Sequence, residues 1–165
     1  MPRRRQPPRK IRARFIEAVE DICPEAFKDL RERSKMIGIR PSWGFSRWAN
    51  RWATKWNLRC TRYPQWTTQY AEEQARRLIR HPDSDCPDPA LTAVLGPDSP
   101  TKYDEHFDWL ARYQVKGESF RRIGASAKPA RQWQSVQGAV HELASLLDLR
   151  LRKRSRGGRP ARQRN

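Results

Sequence analysis

The chain has 165 residues, 35 of them Lys or Arg against 18 Asp or Glu, for a formal net charge of +17. That length suits one domain, or two small ones sharing a core. Apolar residues are only 36%, so a core depends on the seven Trp, five Phe and four Tyr, each of which removes a large area from water when buried. No run of about 18 apolar residues is present to span a bilayer. Arg3, Arg4 and Arg5 are not followed by the apolar segment of a signal peptide. A cytoplasmic location without a membrane partner is expected.

The position of the charge matters more than its sum. Residues 1–14 hold seven basic residues and no acid, and residues 150–165 hold eight and no acid. Between them, 20 basic residues face all 18 acidic ones, so the body is nearly balanced. Basic arms on a balanced body seek polyanions. Cys23, Cys60 and Cys86 are too far apart for a disulfide framework or for paired zinc spacing. They read as reduced thiols packed as small hydrophobes. His81, His106 and His141 show no ligand spacing either, so neither metal nor cofactor is expected.

Residues 1–10, with three prolines and five basic residues, cannot build a core and read as a disordered basic arm. From residue 11 the pattern turns helical. Phe15, Val19, Ile22, Ala26 and Leu30 share one face. Pro24 lacks the N–H that a helix interior needs, so two helices are predicted, over 11–22 and 24–35. Gly38, Pro41 and Gly44 mark a connection. Phe45, Trp48, Trp52 and Trp56 then stack on one side of a helix over 45–58, with Arg47, Asn50, Arg51 and Thr54 on the other. Their four-residue spacing favours burial of the rings. Arg47 and Arg51 are candidates for a secondary phosphate contact.

A further helix is predicted over 64–80, opened by Pro64 and burying Ala71, Ala75, Leu78 and Ile79. It completes a Trp-rich helical region over 11–80. Residues 81–102 contain five prolines and four aspartates and read as a linker.

Beyond the linker, Tyr103 to Val115 forms a helix with Phe107, Leu110 and Gln114 on one face. Gly117 stops it, Ser119 caps a short helix from Phe120 to Ala125, and Ser126–Lys128 is a turn. Pro129 is expected to start the last helix, which keeps Trp133, Val136, Val140, Leu143 and Leu147 on one side. The predicted fold class is all-α: an N-terminal helical region, a C-terminal three-helix unit over 103–149, and disordered basic termini, the second being the tail 150–165.

The C-terminal unit resembles the helix-turn-helix DNA-binding fold, as found in the fourth region of bacterial sigma factors and in response-regulator output domains. Gly117, Ser119, Phe120, Ile123 and Gly124 match the first part of that pattern, with Gly124 where Ala is usual. Val136, Val140 and Leu143 match the start of the recognition helix's buried side. The interval from Ile123 to Val136 is about two residues longer than the commonest pattern, so either the turn is extended or the register differs. The resemblance implies that the last helix enters the major groove with its N-terminal half leading. Its side away from the core would carry Arg131, Gln134, Ser135, Gln137 and Gly138, with Arg suited to guanine and Gln to adenine edges. Gly138 would let the backbone approach closely, and Arg121, Arg122 and Lys128 would sit on flanking phosphates.

In the tail, Gly158, Arg159 and Pro160 partly resemble an AT-hook, the short element that lies in the A·T minor groove. Arg152, Lys153, Arg154, Arg156 and Arg159 are its candidate contacts, as minor-groove readers or as a plain phosphate-binding arm. The expected partner is nucleic acid, foremost double-stranded DNA, for a transcriptional regulator or mobile-element-associated factor. RNA binding and a helical scaffold holding an acidic partner are the alternatives. Homodimerisation is an open expectation, because helix-turn-helix proteins often read paired half-sites. No phosphate-cradling Gly loop, Cys–His pairing or ligand cluster marks an enzyme.

Overall fold

The computed structural model describes residues 7–37, 45–61, 65–80 and 104–153. The fold is all-α. Its helices are α1 (Arg9–Ile22), α2 (Pro24–Ile37), α3 (Phe45–Lys55), α4 (Trp66–Arg80), α5 (Asp104–Ala111), α6 (Phe120–Ser126) and α7 (Trp133–Leu146). A π-helical turn, Arg112–Lys116, continues α5. The linker 81–102, the start of the N-terminal arm and the tail beyond Lys153 lie outside the described residues. None of the described helices is long and apolar enough to cross a membrane.

The break between α1 and α2 falls at Cys23. Its backbone leaves the helical region, its N–H donates to the Val19 carbonyl at 2.8 Å, and Pro24 opens α2. The missing N–H of Pro24 costs nothing in a first turn. α1 begins earlier than the apolar pattern predicts, so Arg9 and Lys10 belong to the helix and not to the arm.

One core draws on both helical regions. Phe15, Val19, Leu30, Trp52 and Trp66 meet Leu110, Ile123, Val140 and Leu147 in a continuous cluster. α1 packs on α5, α5 on α7, and α2 and α3 on α4. The regions 11–80 and 103–149 therefore share a core and are not separate bodies. The tryptophans anchor it and satisfy their polar ends internally. Trp52 Nε1 donates to the Ala26 carbonyl at 2.8 Å, and Trp66 Nε1 donates to the Leu147 carbonyl at 2.7 Å. In α4, Ala71 and Ala75 are buried as the pattern predicts, but Ile79 is 39% exposed. Thr67, Thr68 and Gln74 take burial that the apolar count assigns elsewhere.

Two helices end in the same way. After α3, Asn57 adopts a left-handed backbone (φ 57°), and the N–H of Leu58 donates to the Ala53 carbonyl at 2.7 Å. After α7, Asp148 does likewise (φ 56°), and the N–H of Leu149 donates to the Ala144 carbonyl at 2.8 Å. This is the Schellman ending, in which a left-handed residue lets the chain close the last carbonyls and bury an apolar residue after it. Leu58 and Leu149 are buried accordingly. Both helices thus stop short of the expected ends at Leu58 and Leu149. The two exits then run antiparallel, with a bridge between Cys60 and Leu149. Cys23 and Cys60 are buried and unpaired, and burial pushes both thiols up. Cys86 lies outside the described residues.

Gln114 joins these pieces. It is fully buried in the π-helical turn. Its Nε2 donates to the Arg150 carbonyl at 2.8 Å and to the Asn57 carbonyl, and its Oε1 accepts from the Arg152 N–H at 3.2 Å. One carboxamide thus ties α5 to the exits of α3 and α7. Gln114→Leu keeps the volume but strands buried backbone groups, each costing about 1–3 kcal/mol when unsatisfied. We expect a loss of about 3 kcal/mol in urea denaturation; unchanged stability would remove Gln114 from this role.

Candidate nucleic-acid interface

α6 is capped as the sequence predicts. Ser119 has an extended backbone and its Oγ accepts from the Arg122 N–H at 3.3 Å. Phe120 and Ile123 point inward, and Phe120 stacks on Tyr113 with ring centroids 4.3 Å apart. On the outer side Arg121 and Arg122 are exposed.

The start of the last helix differs from the expectation. Pro129 does not open it; α7 begins at Trp133, and Ala127–Gln132 form an extended turn that contains a cis Lys128–Pro129 peptide. The cause is a tertiary bond. The Arg131 N–H donates to the Gly124 carbonyl at 2.9 Å, which holds the chain across the end of α6. Gln132 is then the first residue whose carbonyl is taken by the helix, accepting from Ser135 at 3.1 Å. The long Ile123–Val136 interval is thus an extended turn. Gly124 makes it fit: a Cβ there would lie 2.5 Å from the Arg131 carbonyl oxygen.

In consequence Arg131 sits in the turn and not on the helix. Its guanidinium lies 3.7 Å from the carboxylate of Glu105 on α5, with both side chains about half exposed. Gln134, Ser135 and Gly138 share the exposed side of α7, and Gln137 lies at its half-buried edge. A Cβ on Gly138 would meet nothing within 4 Å. Val136, Val140, Leu143 and Ala144 face the core. Lys128 is exposed in the turn. The first two turns of α7 carry no charged side chain, and its first acid is Glu142. Its N-cap residue, Gln132, makes no side-chain cap bond.

Acidic partners that the sequence patterns leave out sit behind these cations. Glu118 holds Arg112 at 2.6 Å and lies 3.9 Å from Arg122. Asp108, behind them on α5, has its carboxyl raised by burial, offset in part by Arg112.

The tail begins differently from a free arm. The Arg150 N–H donates to the Arg59 carbonyl at 2.8 Å, and Leu151 packs against the core. The Arg152 guanidinium packs over Gly117, a left-handed glycine (φ 75°) where any other side chain would be strained, and it donates to the Tyr113 carbonyl at 3.4 Å. Arg152 is therefore tied to the body and does not belong to a free arm. Lys153 is exposed. Arg154, Arg156 and Arg159 lie outside the described residues.

Arg47 and Arg51 line a polar cleft between α3 and α4, with Arg59 beside them. Arg59 escapes the sequence patterns because it lies beyond the helix and shares no periodicity with α3. Trp48 and Trp52 are buried, so they present no ring face to a base.

Gly124→Ala tests the turn. Its methyl would collide with backbone rather than with a flexible side-chain end, and overpacking of this kind costs about 1–3 kcal/mol. A fall in thermal stability of that size is expected, whereas Gly138→Ala, which fills open space on a helix, should raise stability by up to about 1 kcal/mol. Equal effects from the two would contradict the geometry of the turn.

Comparison of the chain with protein-family models, with curated proteins and with solved structures gives no match.

Proposed function

We propose that the protein binds duplex DNA through α6, the turn and the first half of α7, as a transcriptional regulator or mobile-element-associated factor. The observation that carries this reading is the exposed, uncharged side of α7, flanked by exposed Arg121, Arg122, Lys128 and Arg131. A polyanion can approach such a surface without meeting a carboxylate in the first two helical turns. In this reading Gln134 pairs with an adenine edge, and Arg131, just ahead of the helix, with a guanine or a phosphate. Arg121, Arg122 and Lys128 fix register on the backbone. Gly138 keeps the helix surface low at its centre. The helix N-terminus, without a side-chain cap, offers free N–H groups to phosphate.

The ion pair between Arg131 and Glu105 fits this use. A half-exposed pair is worth about 0–1 kcal/mol, less than the 1–3 kcal/mol that a good bidentate base contact discriminates (approximate ranges). Exchanging the carboxylate for DNA is therefore favourable only where the contact is good. Nonspecific affinity comes from the basic arms together with the exposed cations of the body, because each phosphate contact releases counterions.

The test is selection from random duplex DNA at moderate salt. An enriched motif is expected from the full chain, and Arg131→Ala or Gln134→Ala should relax it at one or two positions. Glu105→Gln should tighten binding up to about fivefold by freeing Arg131. Uniform binding that none of these changes alters would sink the proposal.

A further inference from the structure

The cleft between α3 and α4 is built for anions in a way that the α7 surface does not use. α3 is divided sharply: Trp48, Ala49, Trp52 and Ala53 are buried, and Ser46, Arg47, Asn50, Arg51 and Thr54 are exposed. Arg47 and Arg51 are one helical turn apart and so project side by side. Arg59 joins them from the exit of α3. Among the described residues, no carboxylate lies within ion-pair distance of any of the three guanidiniums. The other basic residue of the lining, Lys55, is held by Asp29 at 3.0 Å and lies over the ring of Trp56. The acid in the lining, Glu72, lies 3.5 Å from Arg76 and is mostly covered.

The neutral side chains are also arranged as donors. Thr68 Oγ1 lies 3.3 Å from Asn50 Oδ1 and 3.4 Å from Gln65 Oε1. The single Thr68 proton is shared between the two carbonyl oxygens, so both face Thr68 and their NH2 groups are left for an acceptor. Beyond Arg59 the positive strip continues onto Arg150, which is exposed and bonded to it through the backbone.

We propose that this cleft is a second phosphodiester site, one that grips the backbone of duplex DNA without reading bases. The inference rests on the reading of the protein as a nucleic-acid binder. Guanidiniums and carboxamide donors match phosphate oxygens. The cleft offers a base no open aromatic ring, because Trp48 and Trp52 face the core and the Lys55 ammonium lies over the half-buried Trp56 ring. Single-strand binders depend on such stacking, so the chemistry selects backbone.

The experiment compares the salt dependence of duplex affinity for the full chain and for Arg47→Gln/Arg51→Gln/Arg59→Gln. All three side chains are exposed, and circular dichroism checks that the variant folds. Lys28→Gln/Arg31→Gln/Lys116→Gln removes the same charge elsewhere and serves as the control. Each phosphate contact contributes about 0.9 to the slope of log affinity against log salt, so the cleft variant should lose roughly 2.7 and the control far less. Equal slopes for variant and control would overturn the site. So would a single strand that binds more tightly than duplex and quenches tryptophan fluorescence. A lowered slope with no selected motif would leave the cleft standing and remove the α7 reading. A selected motif with an unchanged slope would do the reverse. No duplex binding by the full chain would remove both.

Discussion

The fold turns on one buried carboxamide. Gln114 hydrogen-bonds three backbone groups from two distant stretches: the Asn57 carbonyl at the exit of α3, and the Arg150 carbonyl and Arg152 N–H at the exit of α7. Both exits have already been bent by left-handed residues, Asn57 and Asp148. An apolar side chain in that position would leave polar backbone without partners in the interior, which is costly. The glutamine ties the two helix exits into a joint. It also fixes the α3–α4 cleft relative to α7, because each is anchored to one side of that joint. The π-helical turn that carries Gln114 is a common way to aim one side chain at a special task.

Much of this was legible in the residues, and what was not has physical causes. Pro24 marked the first break, the four-residue spacing of Trp48 and Trp52 marked a buried face, and Ser119 marked a cap, all because these signals are local. The placement of Gln114 on the face of Phe107 and Leu110 was also visible, though its partners were not. Pro129 misled because a proline at a first helical position is a local preference, and the bond from Arg131 to Gly124 overrides it across the turn. Gly124 is required there because a Cβ would lie 2.5 Å from the Arg131 carbonyl oxygen. The helix ends at Asn57 and Asp148 were hidden because neither is the glycine that normally signals a left-handed stop. Arg150 and Arg152 looked like part of a free arm because their side chains are charged, yet their backbones complete the core.

The charge pattern takes on meaning once the fold is set. Basic arms flanking the body, in the proposed reading, separate general attraction from selection. In the proposed reading the arms raise the local concentration of DNA, and the body decides how it is held. In that reading Glu105 and Glu118 matter because they lie against the exposed Arg131 and Arg122 and compete with phosphate for them. Arg47, Arg51 and Arg59 have no such partners among the described residues, which suits a site that grips backbone without discrimination. The α7 surface carries amides and a bare glycine instead, which suits reading over gripping.

The most direct measurement is amide hydrogen exchange of the full chain with and without a saturating duplex. The account predicts slowed exchange in two separate stretches, residues 131–138 and residues 46–59, with the core strengthened little. Duplex binding that leaves both stretches unchanged would show that the arms alone carry the interaction and would contradict the account.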